Sequence, residues 1–200
     1  MTAVPADRPS DVDPFRRRLL DGLAASISER GYRATTVAHI VRHARTSKRT
    51  FYDRFAGKEQ CFLELLRAET ERLAENIRSA VDPDADWRHQ IRQALEAYVG
   101  TIESRPAITL SWIRDLPSLG AAARPVQRDG LRLLTDLLIE LSGSPGFRRA
   151  SLPPLTAPSA VILLGGLREL TALAVEDGKN VREIVEPALD ACRALLGPRR

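Results

Sequence analysis

The sequence predicts an all-α protein with a small basic head on a larger helical body, and three observations carry that reading. Apolar residues recur at spacings of three and four along most of the 200 residues, and no run alternates with the period of two that a half-buried strand requires. Proline, glycine and Asp/Asn residues interrupt this pattern at roughly helix-length intervals. Charge is unevenly spread: Pro14 to Lys58 carries eleven Lys or Arg against Asp21, Glu29 and Asp53, a surplus of eight in a chain of net charge +4. The rest is therefore mildly acidic, as expected of a phosphate-binding head on a different kind of domain, although a solvated basic face would read the same on charge alone.

Each element has a local cause. Asp13-Pro14 starts the first helix, because Asp caps free N–H groups and Pro14 occupies the position that needs no donor. Leu19, Leu20, Leu23, Ala24 and Ile27 form its stripe to about Arg30, Gly31 stops it in a left-handed conformation, and Tyr32 is expected to fold back onto Ile27. Thr35 or Thr36 caps a short second helix with Val37, Ile40, Val41 and Ala44 on one face. After Arg45-Thr46-Ser47, Ser47 caps a third helix through Phe55, with Phe51 and Phe55 facing inward. A longer helix runs from Lys58 to about Val81, where Asp82-Pro83-Asp84 breaks it. Helical patterns then span Trp87 to Ser104, Pro106 to Asp115, about Leu119 to Leu141, Ser159 to Val175 and Val181 to Leu196. Ser142 to Pro158, rich in Ser, Gly and Pro, predicts a long mobile connector.

Several function classes recede. Cys61 and Cys192 lie far apart with no CxxC spacing, so they read as buried free thiols in a reducing cytoplasm. The start of the chain holds no apolar run, and nowhere are there 18 consecutive apolar residues, so neither export nor membrane insertion is expected. His39 and His43 have metal-compatible i,i+4 spacing but no third ligand, and no Gly-rich phosphate loop or Ser/His/Asp set argues for catalysis. No metal, cofactor or enzymatic activity is expected.

The feature that carries function is the pair of short helices about a three-residue turn, the geometry of a DNA-binding helix-turn-helix whose second helix enters the major groove. That helix, Ser47 to Phe55, is aromatic on its inner face and basic and hydroxylated on its outer face. The segment ERGYRATTVAHIVRHARTSKRTFYDRFAGKEQCF, Glu29 to Phe62, resembles the TetR-type repressors in its Gly-Tyr, Thr-Thr-Val, Thr-x-Tyr-x-x-Phe and Lys-Glu elements. Weaker echoes of the resemblance lie at Arg105-Pro106 and Leu164 to Leu170. Arg45 and Thr46 depart from the Gly-Val usual in that family's turn; a non-Gly residue in a left-handed conformation costs about 1 kcal/mol.

The resemblance implies a division of roles. Lys48 and Arg49 would reach base edges, where Arg reads guanine through two hydrogen bonds. Thr50, Tyr52 and Arg54 would bind phosphate or flank the groove, with Thr36 and Lys58 holding phosphates at helix starts and Thr35, Arg45 and Ser47 completing the DNA-facing set. Asp53 either accepts from cytosine or pairs with Arg49. The resemblance also implies that the last two helices form a four-helix bundle with a second copy through Ile162, Gly165, Gly166, Glu169, Leu170, Leu173 and Leu189. The helix from Ala160 to Val175 is apolar almost all round and must be covered on two sides, which a buried core position would also satisfy.

The middle helices resemble that family's effector domain, in which a small apolar ligand tilts the bridging fourth helix. Tyr98, Ile102, Ile108, Trp112 and Phe147 are the large side chains that can line such a pocket, or can be plain core. The resulting expectation is a tail at 1–12, a helix-turn-helix domain at 13–60 (motif 36–55), and an effector-binding and dimerisation domain at 61–200. Such a chain would be a cytoplasmic, ligand-responsive repressor that binds a near-palindromic operator in double-stranded DNA as a homodimer. An activator or nucleoid-type binder, and a helical small-molecule-binding protein whose head has lost specific DNA binding, are the alternatives.

Overall fold

The computed structural model describes residues 13–197, and among them every regular element is helical. The tail expected at 1–12 lies outside the described residues. The chain divides into two compact units, one through Leu65 and one from Leu66, so the division falls within the fourth helix.

The first unit holds α1 (Pro14–Ala34), α2 (Val37–His43), α3 (Lys48–Tyr52) and the first two turns of α4 (Lys58–Ala80). Asp13 caps α1 by accepting from the Phe15 N–H at 3.0 Å, and the helix kinks at Gly31 (φ 75°). Leu19, Leu23, Ile27, Ile40, Phe51, Phe55 and Phe62 are buried and make the core, as the three-and-four spacing requires. Gly22 sets the α1–α2 approach: a Cβ there would lie 2.6 Å from the Ile40 carbonyl oxygen and 3.0 Å from the Ala44 nitrogen, so only a bare Cα fits. Tyr32 does not turn back onto Ile27 as its principal partner. It stacks on Phe62 at 3.9 Å between centroids, because the kink carries it across to α4.

The second unit contains the rest of α4, then α5 (Trp87–Ser104), α6 (Pro106–Leu110), a π turn (Ser111–Asp115), a 3-10 turn (Leu116–Ala122), α7 (Arg124–Ser142), α8 (Pro145–Arg149), α9 (Ala157–Glu176), a second 3-10 turn (Val181–Ile184) and α10 (Val185–Leu196). The helix expected from Leu119 begins instead at Arg124, since Pro125 belongs in a first turn and Gly120 (φ 59°) interrupts what precedes it. Trp87, Ile91, Leu95, Val99, Ile102, Val185 and Leu189 form one core cluster.

The predicted mobile connector is corrected. Residues 142–158 hold the single-turn helix α8, and Phe147, Leu152 and Leu155 are buried. Its Ser and Gly residues are spent on packing: the Ser142 hydroxyl donates to the Ile139 carbonyl and accepts from the Leu155 N–H, and the Gly146 N–H donates to the Pro83 carbonyl. Composition marked the segment as non-repetitive; it did not reveal that three apolar side chains would anchor it.

Candidate nucleic-acid interface and effector cavity

The helix-turn-helix is assembled from caps and a strained turn. The Thr36 hydroxyl accepts from the His39 N–H at 3.4 Å, and the Thr36 N–H donates to His39 Nδ1 at 3.3 Å, a reciprocal cap that opens α2. His39 is thereby a capping residue; partial burial, with Arg30 and Arg42 nearby, lowers its pKa and favours the neutral ring that accepts this bond. Arg45 takes the left-handed conformation at φ 48°, as expected at that turn position, at a cost of about 1–2 kcal/mol. The Thr46 N–H closes the turn onto the Val41 carbonyl at 3.0 Å. Ser47 then caps α3, accepting from the Thr50 N–H and sharing a hydroxyl–hydroxyl bond with Thr50, both at 3.0 Å.

On α3, Phe51 is fully buried and meets Phe55 at 5.6 Å, while Lys48, Arg49 and Tyr52 project outward, Tyr52 with 58% of its surface exposed. Asp53 is exposed, and among the described residues it forms no ion pair with Arg49. The helix is shorter than expected: Asp53 and Arg54 form a turn that carries Phe55 back into the core.

Three residues expected at the DNA surface make contacts within the chain instead. Thr35 is buried, and its hydroxyl bonds Ser26 at 3.0 Å and donates to the Gly31 carbonyl at 2.8 Å. Arg54 pairs with Asp13 at 2.6 Å and lies over the Phe15 ring. Lys58 donates to the carbonyls of Tyr32 (3.1 Å) and Thr35 (2.9 Å) and sits 4.3 Å above the Tyr32 ring, so it neutralises the carbonyl end of α1. Sequence reasoning also missed Arg16, which pairs with Glu64 on α4, donates to the Arg54 carbonyl and covers Phe55. Asp13, Arg16, Arg54 and Glu64 together hold the end of α3. No local spacing could show this, because the partners lie about forty residues apart.

In the second unit two cavities open among the helices. The larger, about 520 Å³, is lined by Tyr98, Ile102, Ile108 and Trp112 of the expected pocket set. Trp112 comes from the π turn and rests on Gly130, whose Cβ would lie 2.9 Å from its ring. The other, about 300 Å³, is lined by Tyr98 again and by Phe147. Tyr98 donates to or accepts from the Thr171 hydroxyl at 2.9 Å, and burial pushes its phenol up to about 12.

Most of the residues expected to meet a second copy lie exposed on α9. Ile162 (63% exposed), Gly166, Leu170 and Leu173 (48% exposed) follow one stripe of α9, and no atom of this chain would meet a Cβ at Gly165 or Gly166. Glu169 lies beside them but is held by Arg114, which also binds Glu176; these charge-assisted bonds lower both carboxyl pKa values. Leu189 does not belong to this face. It is fully buried in its own core because α10 turns that side toward α5, and Leu195 is the exposed apolar residue of α10 instead. By length and composition α9 could cross a membrane, although the longest uninterrupted apolar runs are short, and 22% of its apolar stretch is buried.

The comparisons agree with this geometry. Residues 19–65 match the model of "Bacterial regulatory proteins, tetR family". The HTH-type transcriptional repressor KstR2 of Rhodococcus jostii is 38% identical over 101 residues, covering 50% of this chain and 48% of that protein. The HTH-type transcriptional activator FasR of Mycolicibacterium smegmatis is 31% identical over 91 residues, 46% of this chain and 42% of its own. The chain thus spans about half the length of the curated relatives it matches. Among solved structures, the fatty acid degradation regulator FadR from Bacillus halodurans superposes with a TM-score of 0.74 at 21% identity, covering 96% of this chain and 99% of that one. FadR from Bacillus subtilis, in complex with stearoyl-CoA, gives 0.70 at 16% identity over 92% and 99%. At these identities the likeness establishes the fold. Residues 19–65 are thus similar to the head domain of tetR-family regulatory proteins, and the chain as a whole shares the fold of these solved structures.

Proposed function

We propose that this chain is a DNA-binding transcriptional repressor that works as a homodimer and leaves its operator when a small, largely apolar effector enters the second unit. The observation that carries the reading is α3, a five-residue helix fully buried through Phe51 and exposed through Lys48, Arg49 and Tyr52. A helix so short is held by its neighbours, so its outer face is presented rather than mobile. Lys48 and Arg49 read base edges; Arg45, Thr36 and Tyr52 contact phosphate, with Ser47 and Thr50 shaping the first turn of α3. Thr35, Arg54 and Lys58 belong to the scaffold that aims it.

Dimerisation uses the exposed stripe of α9 with Leu195 of α10. An apolar face of this kind on a folded chain calls for a partner. A second copy fits better than a membrane, because Arg168 and Glu169 lie mid-helix, where a bilayer would impose about 2.5–3.5 kcal/mol on a charge. We accordingly place the protein in the cytoplasm. The effector reading is supported by the larger cavity and by α4, one helix that supplies Lys58 to the head and Thr70 and Leu73 to the cavity wall. An activator reading has one observation in its favour, the name of the FasR relative.

Arg49→Ala is the direct test. Measured on DNA selected by the wild-type protein and on single-base variants of it, this change should erase discrimination at one position per half-site, about 5- to 100-fold, and leave preferences elsewhere intact. Arg45→Gln should instead weaken all sequences evenly and lower the salt slope by about one. Unchanged preference in Arg49→Ala would remove Arg49 from the readout.

A further inference from the structure

Much of the positive charge in the first unit is committed within that unit. Arg16 pairs with Glu64, Arg30 with Glu29 and Arg54 with Asp13, and Lys58 donates to the carbonyls of Tyr32 and Thr35. Arg45, Lys48 and Arg49 lie exposed on the turn and on α3. In the opening turns of α1, Arg17 and Arg18 are also exposed, and neither the core nor α3 uses them. Among the described residues neither forms an ion pair, although the exposed Asp21 follows one turn on.

The Phe15 ring ties this pair of cations to the end of α3. The ring is 43% exposed, with the Arg18 guanidinium 4.6 Å from its centroid and that of Arg54 at 5.0 Å. Phe15 and Arg18 are three residues apart on one helical face, so their contact is local. Arg54 comes from the turn that follows α3, and two bonds fix it against the start of α1. Its guanidinium binds Asp13 at 2.6 Å, and its carbonyl accepts from Arg16 at 3.2 Å. An Arg18–Phe15–Arg54 stack therefore runs from the end of α3 to the opening of α1. A ring left nearly half exposed contributes little to the core; here it holds cations at the surface.

We infer that the opening of α1 is a second DNA-contact surface, where Arg17 and Arg18 bind the sugar-phosphate backbone flanking the groove that α3 enters. Phe15 is the positioning residue for Arg18. A recognition helix reads bases with its N-terminal residues, so its other end lies toward the backbone at the edge of the groove. With Lys48 and Arg49 at the bases, Arg54 and the stack joined to it fall at that edge. Duplex DNA is the partner that fits, because two neighbouring guanidiniums match a backbone of closely spaced anions. The inference rests on reading α3 as the recognition helix. It adds that each half-site extends beyond the bases α3 reads, and that the flank counts through its presence rather than its sequence.

The test is titration of the full-length protein and its Arg17→Gln/Arg18→Gln variant over a range of salt concentrations. Three duplexes are compared: a long one carrying the motif selected by the wild type, one trimmed to that motif, and one of unrelated sequence. On the long duplex the double variant should bind about tenfold or more weakly, with a salt slope lower by about two and the same preference among single-base variants. Each single variant should lower the slope by about one. Trimming should weaken the wild type by a similar factor and the double variant little. Phe15→Leu, which removes the ring and keeps the charges, should weaken binding about two- to fivefold at an unchanged salt slope. Thermal unfolding should match the wild type throughout, since all three side chains are exposed. Equal salt slopes in wild type and double variant, or equal losses on trimming, would overturn the inference. Equal slopes alongside a selected motif would leave the proposed function standing. A wild type that selects no motif, yet keeps the slope difference on unrelated duplex, would sink the proposed function and leave this surface in place. Absence of all duplex binding would overturn both.

Discussion

Replacing Ile162 and Leu173 together by glutamate is expected to leave a folded monomer whose affinity for operator DNA is at least about 100-fold lower than that of the wild type. Both side chains are about half exposed or more on α9, so the charged replacements meet water in the single chain and change its stability by about 0.5 kcal/mol or less each. Across a two-fold axis the same four carboxylates would be desolvated against apolar partners, which no symmetric packing can compensate. On the proposed function, loss of the dimer would convert a bivalent reader into two independent ones, and linked binding is worth about 10²- to 10⁴-fold. Sedimentation at micromolar protein and titration of labelled operator check the two parts separately. An unchanged mass with unchanged DNA affinity would remove α9 from the interface.

Phe51→Ala should have the largest effect on the head itself. The ring is fully buried against Phe55 and meets Tyr52 edge-on at 5.4 Å, and truncating such a phenylalanine costs about 3–5 kcal/mol. In a unit this small that is most of its stability. DNA binding should disappear, while ligand binding in the second unit stays within about twofold. Tyr52→Ala is the matching control: the side chain is exposed, so stability should hold while DNA affinity falls. Chemical denaturation followed through each unit distinguishes them. Equal loss of DNA binding with no loss of stability in Phe51→Ala would mean that the ring acts at the interface rather than beneath it.

Where periodicity and caps govern, the sequence was legible. Asp13, Thr36 and Ser47 each cap a helix in the structure, and α5 spans Trp87–Ser104 as its apolar spacing implies. The strain at Arg45 was legible too, through the resemblance, whose turn carries Gly where this chain has Arg45. What escaped was whatever depends on partners distant in the chain. Thr35 and Thr36 are indistinguishable as neighbours, yet Ser26 claims one of them for the core. Arg54 and Lys58 have the charge expected of phosphate ligands and are instead bound by Asp13 and by the end of α1. Leu189 and Leu195 have the same chemistry, and only the packing of α10 against α5 decides which of them faces outward. The anchoring of residues 142–158 by Phe147, Leu152 and Leu155 was hidden for the same reason, since Gly and Pro report local freedom and say nothing about burial.

Selection of the purified protein's preferred sites from random double-stranded DNA, followed by sequencing, tests the central claim most directly. A homodimer presenting two copies of α3 should enrich an inverted repeat whose half-sites are centred about one helical turn apart or a whole multiple of it. Its Arg49→Ala variant should lose preference at one symmetric pair of positions and no others. Enrichment of a single unpaired motif, or of no motif at all, would contradict the claim.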